Sequence, residues 1–268
     1  MLRNVISMDT FISFILPIYK VDIDFLRKSV TSLCNQMFKD IEIILVDDGS
    51  PDRCGEVCDE LAALDDRIRV IHQANQGVSM ARNNGIKIAE GEWICFIDPD
   101  DWVEQNMAKD LYEFITKVDE DLDIVYFDYT KERCNGTLEE SLEISEGVIS
   151  KEIAEALCLA PIHKLFLNGK YVSYAGEVIW NKMYRADFIQ RTGILFPIDI
   201  QRGEDRIFNS MLLQHSKKMG YCKKNFYHYR VTENSATNQY TPDIVEKAEP
   251  VIEYVLSCHG NQNRYIVD

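Results

Sequence analysis

The chain has 268 residues, 46% of them apolar, enough for one large α/β domain or one domain with a small appendage. Acidic residues outnumber basic ones, 44 to 29, giving a formal charge of −15. That balance argues against a nucleic-acid groove and against a polybasic membrane anchor, though not against a local basic pocket for a phosphate. No apolar run approaches the ~20 residues that span a bilayer. The N-terminal stretch is interrupted by Asp9 and offers no small-residue cleavage site, so it does not read as a signal peptide. The eight cysteines are irregularly spaced and read as reduced, partly buried thiols of a cytoplasmic protein. Cys54 and Cys58 sit four apart on an expected helix, but no second pair completes a zinc pattern.

In chain order, residues 11–18 (FISFILPI) form a continuous apolar run, expected to be a central parallel strand that ends at Pro17 and Tyr19. Apolar residues then recur at helical spacing over 22–36, with Asp22 or Asp24 at the start. Residues 41–46 (IEIILV) are the second strand, followed by Asp47-Asp48-Gly49-Ser50-Pro51. Ser50 before Pro51 predicts a helix start there. Asp47 and Asp48 lie between that strand end and that helix. Either they favour the turn and the helix dipole, or one of them accepts a hydrogen bond from a ligand such as a base N–H. A third strand at 68–72 and a turn at 75–77 lead to a helix over 78–89 that carries Arg82.

Residues 93–97 are again apolar, and they stop at Asp98-Pro99-Asp100-Asp101. Four strands alternate with helices, the pattern of a mostly parallel sheet covered on both faces. Such sheets bind ligands outside the carboxyl ends of their strands. Clustered carboxylates there suit Mg²⁺ or Mn²⁺ beside a diphosphate. Ordinary turn chemistry explains the same residues, with Asp101 as a cap for a helix over 103–118.

Further on, the sequence predicts a strand over 122–129, a polar surface loop or short strand over 131–147, and a helix over 150–159. Residues 164–173 are ambiguous. A strand is expected over 176–184, with Trp180 as core, and a helix over 186–192. The helix over 203–216 opens with Glu204 and Asp205. The helix dipole favours acidic side chains there, and the same place would present an ionised general base. An aromatic strand at 226–231 carries His228 and Arg230, and a terminal helix is expected over 243–257.

Taken together, PIYK, VDDGSPD, GVSMARNNGIKIAEGEWICFIDPDD, IWNKMYR and GEDRIF, in this order, resemble the family 2 glycosyltransferases of the GT-A fold. The resemblance covers most of the chain, about 11–230. It implies a GT-A domain over 1–230, with a nucleotide-sugar half over 11–129 and an acceptor half over 130–230, followed by a C-terminal loop and helix over 231–268. It implies transfer of a sugar from a nucleotide diphosphate sugar, UDP by family habit, to an acceptor hydroxyl with inversion.

By the same resemblance Pro17 and Tyr19 pack the nucleobase, Asp47 bonds it, and Arg82 lies near the nucleotide. Asp98 reaches the ribose or the metal shell, Asp100 binds Mn²⁺ or Mg²⁺, and Asp205 is the base. His228 is a further candidate metal ligand, Arg230 a candidate diphosphate contact and Lys182 a weaker contact to acceptor or phosphate. Without the Gln-x-x-Arg-Trp motif of the processive synthases, the resemblance points to addition of one sugar per encounter. The acceptor would be a glycan or lipid-linked molecule at the inner face of the cytoplasmic membrane, with membrane contact at most peripheral. Two alternatives stand beside it: a haloacid-dehalogenase-like phosphatase, whose Asp-x-Asp normally follows the first strand, and an inactive nucleotide-binding scaffold. A dinucleotide fingerprint and a P-loop are both absent.

Overall fold

The computed structural model describes residues 10–159, 166–167, 170–171, 174, 178–200 and 202–231. Its first half alternates strand and helix. The strands are β1 (Ile12–Ile18), β2 (Ile41–Asp47), β3 (Ile68–His72) and β4 (Trp93–Phe96), and the helices are α1 (Ile23–Cys34), α2 (Cys54–Ala62) and α3 (Val78–Ile88). These four strands are mutually parallel in the order β3-β2-β1-β4. Every residue of β1 and β2 is buried, each face being covered, which is why both are largely apolar; the polar pair inside them, Ser13 and Glu42, is hydrogen-bonded (2.6 Å).

The second half adds β5 (Trp102–Val103), α4 (Met107–Val118), β6 (Ile124–Arg133), β7 (Gly136–Glu140), β8 (Gly147–Val148) and α5 (Lys151–Leu159). There follow β9 (Phe166–Leu167), β10 (Lys170–Tyr171), β11 (Lys182–Arg185), α6 (Ala186–Thr192), α7 (Glu204–His215) and β12 (Met219–Arg230). β9 and β10 form a separate two-stranded hairpin. The main sheet continues past β4 through β11, β6, β12 and β5. β11 is antiparallel to both β4 and β6, whereas β6 and β12 are parallel. The sheet is therefore mixed, with its purely parallel part confined to the first half.

Several boundaries differ from the sequence reading. α2 starts at Cys54, not at Ser50: Asp52 Oδ1 accepts from Cys54 N (3.1 Å), and Ser50 N donates to Asp47 Oδ1 instead. α4 starts at Met107, because Trp102 and Val103 pair with His228 and Tyr227 as strand β5. Asp101 caps no helix. Within 131–147 the short surface strand that the sequence allowed is present: β6 runs on to Arg133 and turns back as β7. The strand expected over 176–184 narrows to β11, and the aromatic strand lengthens to twelve residues. The helix expected over 243–257 lies outside the described residues.

Two buried contacts set how the helices sit. Gln36 bridges α1 to α4, its amide donating to Glu104 O (2.7 Å) and accepting from Ala108 N (2.9 Å). Gly85 lets α3 press on β1, since an added Cβ would run into Ile15 Cγ2. Ile15 is itself fully buried and cannot step aside. Gly85→Ala should therefore destabilise the fold by about 1–3 kcal/mol through overpacking, despite the better helix propensity of Ala. Urea unfolding measures this; an unchanged or raised midpoint would show that α3 can shift off the sheet.

Candidate active site

Strand registers place Ile18 opposite Asp47, Asp47 opposite His72 and Ile15 opposite Phe96, so the carboxyl ends of β1 to β4 open on one edge. Pro17 is buried near the end of β1. Tyr19, just beyond it, is 44% exposed, with Lys20 Nζ 5.2 Å from its ring centroid. Asp47 ends β2. Its Oδ1 accepts from Ser50 N (3.0 Å) and its Oδ2 lies 3.1 Å from His72 Nδ1. The other ring nitrogen of His72 is 3.0 Å from Asp59 Oδ1, and the bonds to Asp59 and Asp47 raise the imidazole pKa. Gly55 of α2 backs onto this carboxylate; a Cβ there would sit 2.8 Å from Asp47 Oδ2. Asp48 serves the scaffold. It accepts from Gln73 Nε2 (2.7 Å), Gln76 N (2.8 Å) and Gly77 N (2.8 Å), fixing the loop that leads into α3.

The centre of the edge is an ionic cluster. Arg82, on the buried side of α3, donates from Nη1 to Glu204 Oε1 (2.8 Å) and from Nη2 to Asp98 Oδ1 (3.4 Å). Its guanidinium lies 5.3 Å from the Phe196 ring centroid. Burial works against the Arg82 charge, but Asp98, Glu204 and Asp205 outweigh it and raise its pKa. One guanidinium thus joins the turn after β4 to the first residue of α7. Asp205 follows Glu204 and accepts from Arg206 N (2.8 Å) at the helix start. Burial and its neighbour Glu204 push the Asp205 carboxyl up to about 6, with Arg82 pulling the other way. Asp98 is likewise pushed up to about 6, by burial above all and then by Asp100 and Glu204, against Arg82.

Asp100 is partly exposed, and burial raises its pKa while Arg230 opposes the shift. Arg230 Nε donates to Asp100 O (2.8 Å), and its guanidinium lies 3.8 Å from the Phe25 centroid and 4.8 Å from that of Trp102. Asp101 is buried at 1% exposure and bonds to β12. His228 does not turn toward Asp100. Its Nδ1 is 2.8 Å from Glu132 Oε1, its Nε2 is 2.8 Å from Glu104 Oε1, and its ring stacks on Trp102. Lys182 is fully buried, with Nζ donating to Val178 O and to Asn181 Oδ1 (2.7 Å). Trp180 is core, as expected, stacked on Tyr227 and Tyr229 with centroids at 4.6 and 5.3 Å.

The structure therefore brings Asp98, Arg82 and Asp205 together, sets Asp100 beside them, and places Pro17, Tyr19 and Asp47 along the same edge. Sequence reasoning gave no role to Glu204 as the partner of Arg82, or to Tyr227; only the pairing of distant elements reveals them.

Among the described residues, no group of three or more His, Cys, Asp or Glu converges as an ion cage. Mg²⁺-type cations are commonly held by one or two carboxylates plus substrate phosphates, and Asp98 with Asp100 is a donor set of that kind. The electrostatics fit as well. Burial above all, and for Asp98, Asp101 and Asp205 also neighbouring carboxylates, raises the pKa values of these groups, against the pull of Arg82, Arg206 and Arg230.

Comparison with known proteins gives the family and the fold. The chain belongs to glycosyl transferase family 2, whose family model matches residues 13–187. It is 36% identical over 253 residues to the uncharacterized glycosyltransferase EpsJ of Bacillus subtilis (strain 168), covering 93% of this chain and 70% of that protein. It is 30% identical over 241 residues to the minor teichoic acid biosynthesis protein GgaB of the same organism, covering 85% of this chain but only 24% of that protein. Among solved structures, S. aureus TarS 1-349 in complex with UDP matches with a TM-score of 0.72 at 20% identity, over 94% of this chain and 66% of that one. The mannosyltransferase PcManGT from Pyrobaculum calidifontis, in complex with GDP-Man and Mn²⁺, matches with a TM-score of 0.58 at 12% identity, over 93% and 70%. The protein is a glycosyltransferase with the GT-A fold, and the phosphatase alternative falls with that assignment.

Removing one partner of a buried ion pair strands the other's charge, which typically costs about 3–5 kcal/mol. Arg82→Met should therefore destabilise the protein by about 3 kcal/mol at neutral pH. Denaturant unfolding of the variant checks this; a loss under about 1 kcal/mol would mean that water already solvates the Asp98 and Glu204 carboxylates.

Proposed function

We propose that this chain moves a sugar from a nucleotide diphosphate sugar to an acceptor hydroxyl in a single displacement that inverts the anomeric carbon. The observation that carries the reading is the Arg82 bridge, which sets the Glu204–Asp205 start of α7 against the Asp98–Asp100 turn. A base for the acceptor and a carboxylate pair for the donor's diphosphate then share one edge. A UDP-sugar is the favoured donor, in keeping with TarS, which has been crystallised with UDP and with UDP-GlcNAc.

Each residue has a task in this reading. Exposed Tyr19, just beyond buried Pro17, offers a face for the base, and Asp47 accepts a base N–H from the edge of β2. Asp98 meets the ribose and Asp100 the diphosphate side. Arg82 keeps Asp98 ionised and in place beside the nucleotide. A divalent cation, Mn²⁺ or Mg²⁺, held by Asp100 with Asp98 nearby, would neutralise the charge that grows on the leaving diphosphate. His228 would join that shell only by leaving Glu104 or Glu132.

Asp205 takes the proton from the acceptor hydroxyl as it attacks the anomeric carbon from the face opposite the leaving group. One displacement needs no protein nucleophile and inverts the centre. The donor half corresponds to 11–129 and the acceptor half to 130–230. The acceptor is a glycan or lipid-linked molecule, a reading that GgaB's part in minor teichoic acid biosynthesis supports. No helix among the described residues is long and apolar enough to cross a membrane. We place the enzyme in the cytoplasm, in peripheral contact at most with the inner membrane face.

The Asp205 pKa of about 6 gives the reading a pH signature. kcat/KM should fall about tenfold per pH unit below about 6, as the free-enzyme base is protonated. Asp205→Asn should lower kcat by about 10²–10⁴-fold with little change in nucleotide affinity. A pH profile of sugar transfer, run on both proteins, checks this; an Asp205→Asn variant with wild-type kcat would remove Asp205 from the base role.

Stability should move the opposite way. Asp98 and Asp205 both lie above the usual aspartate value of about 3.9, so their ionised forms cost stability in the folded state. Their contribution to stability is full below about 4 and lost as pH rises through about 6. The ligand-free melting temperature should therefore rise from pH 7 toward pH 5, and less so in Asp205→Asn. Differential scanning calorimetry reads this directly, and a slope identical in the two proteins would contradict the assignment.

A further inference from the structure

The turn that carries Asp98 and Asp100 does not hold its own shape. Its only internal backbone bond among the described contacts runs from Asp101 N to Asp98 O (3.1 Å). Arg82 holds the Asp98 side chain, and the remaining bonds to the turn come from β12, more than a hundred residues later in the chain. Tyr227 Oη accepts from Asp98 N (3.1 Å) and donates to Asp101 Oδ2 (2.7 Å). Asp101 Oδ1 accepts from Arg230 N (2.7 Å), and Arg230 Nε donates to Asp100 O (2.8 Å). Tyr227 and Asp101 are both buried, so these bonds do not compete with water. The Tyr227 ring is fixed in turn by its stack on Trp180, at 4.6 Å and 14°.

Both carboxylate oxygens of Asp101 are engaged by β12. One oxygen holds the Tyr227 hydroxyl and the other the β12 backbone. That same hydroxyl grips the first residue of the turn, and Arg230 grips the third. The spacing between the Asp98 and Asp100 side chains is set from outside the turn.

We propose that Tyr227 and Asp101 are positioning residues that fix the Asp98 and Asp100 carboxylates for a divalent cation and the donor's diphosphate. The inference rests on the donor-site reading above and deepens it. Groups that orient carboxylate ligands typically change metal affinity by about 10–100-fold when removed. Because Tyr227 stacks on Trp180 of the acceptor half, the geometry of the donor turn is tied to the packing of that half.

The test is calorimetric titration of UDP at a series of Mn²⁺ concentrations and with no metal. It uses the full chain as wild type, Tyr227→Phe, Asp101→Asn and Asp100→Ala. Tyr227→Phe keeps the ring and its stack while deleting both hydroxyl bonds. Asp101→Asn keeps the volume and leaves one of its two partners mismatched, and it carries the test if Tyr227→Phe does not fold.

The expected result is at least about a tenfold rise in the Mn²⁺ concentration needed for half of the affinity gain, with metal-free UDP binding unchanged. A merely structural role would weaken both modes together, and that outcome overturns the inference. If Asp100→Ala loses its Mn²⁺ dependence while Tyr227→Phe and Asp101→Asn keep theirs, the inference alone fails. If Asp100→Ala keeps it too, the donor-site reading fails and takes the inference with it.

Discussion

A buried guanidinium, Arg82, shared between Asp98 and Glu204, is the contact on which the site depends. Burying three charges is expensive, and such an arrangement is weak as a source of stability compared with an apolar one of the same volume. What it supplies is position. The turn after β4 and the start of α7 come from parts of the chain about a hundred residues apart, and one planar group meets both. It also settles the electrostatics of the edge. Without Arg82, Asp98, Glu204 and Asp205 would repel one another in a poorly hydrated place. With it, two carboxyls stay near a pKa of 6, low enough to be ionised at neutral pH and high enough to accept a proton.

The sheet delivers these groups. In the parallel half, register alone brings the ends of β1, β2 and β4 to one edge, and each contributes a candidate contact to a donor. The mixed half then supplies what the parallel half lacks. β12 runs beside β6 and β5, which carries Tyr227 and Arg230 alongside the turn they restrain. Trp180, just before β11, stacks on Tyr227 and Tyr229 of β12. The scaffold is thus stiff where the diphosphate would sit and open where Tyr19 is exposed.

The parallel half was legible in the sequence because its signals are local. Unbroken apolar runs end in turn residues, and α1 shows its apolar stripe and its Asp22 cap, which accepts from Asp24 N and Phe25 N as the position demands. The five motifs were enough to indicate the family. What failed to show was pairing. Val103 looks like the start of a helix until β12 lies beside it. Asp101 looks like a cap until Tyr227 and Arg230 claim it. Ser50-Pro51 promised a helix start, but the Asp47 carboxylate takes Ser50 N–H, and the helix waits for Asp52. His228 has the residue type of a metal ligand, yet Glu104 and Glu132 occupy both of its nitrogens. No periodicity encodes the contacts of Asp101, Trp102, Val103 and His228, since each joins residues about a hundred positions apart or more.

The proposed role of this carboxyl edge as a nucleotide-sugar donor site stands or falls on nucleotide binding. The most direct measurement is calorimetric titration of UDP into the intact protein, with and without Mn²⁺, with GDP and dTDP as controls. A donor site here should give saturable UDP binding that strengthens markedly with Mn²⁺ and exceeds that of the other two nucleotides. Absence of binding by any nucleotide, with or without the metal, would contradict it.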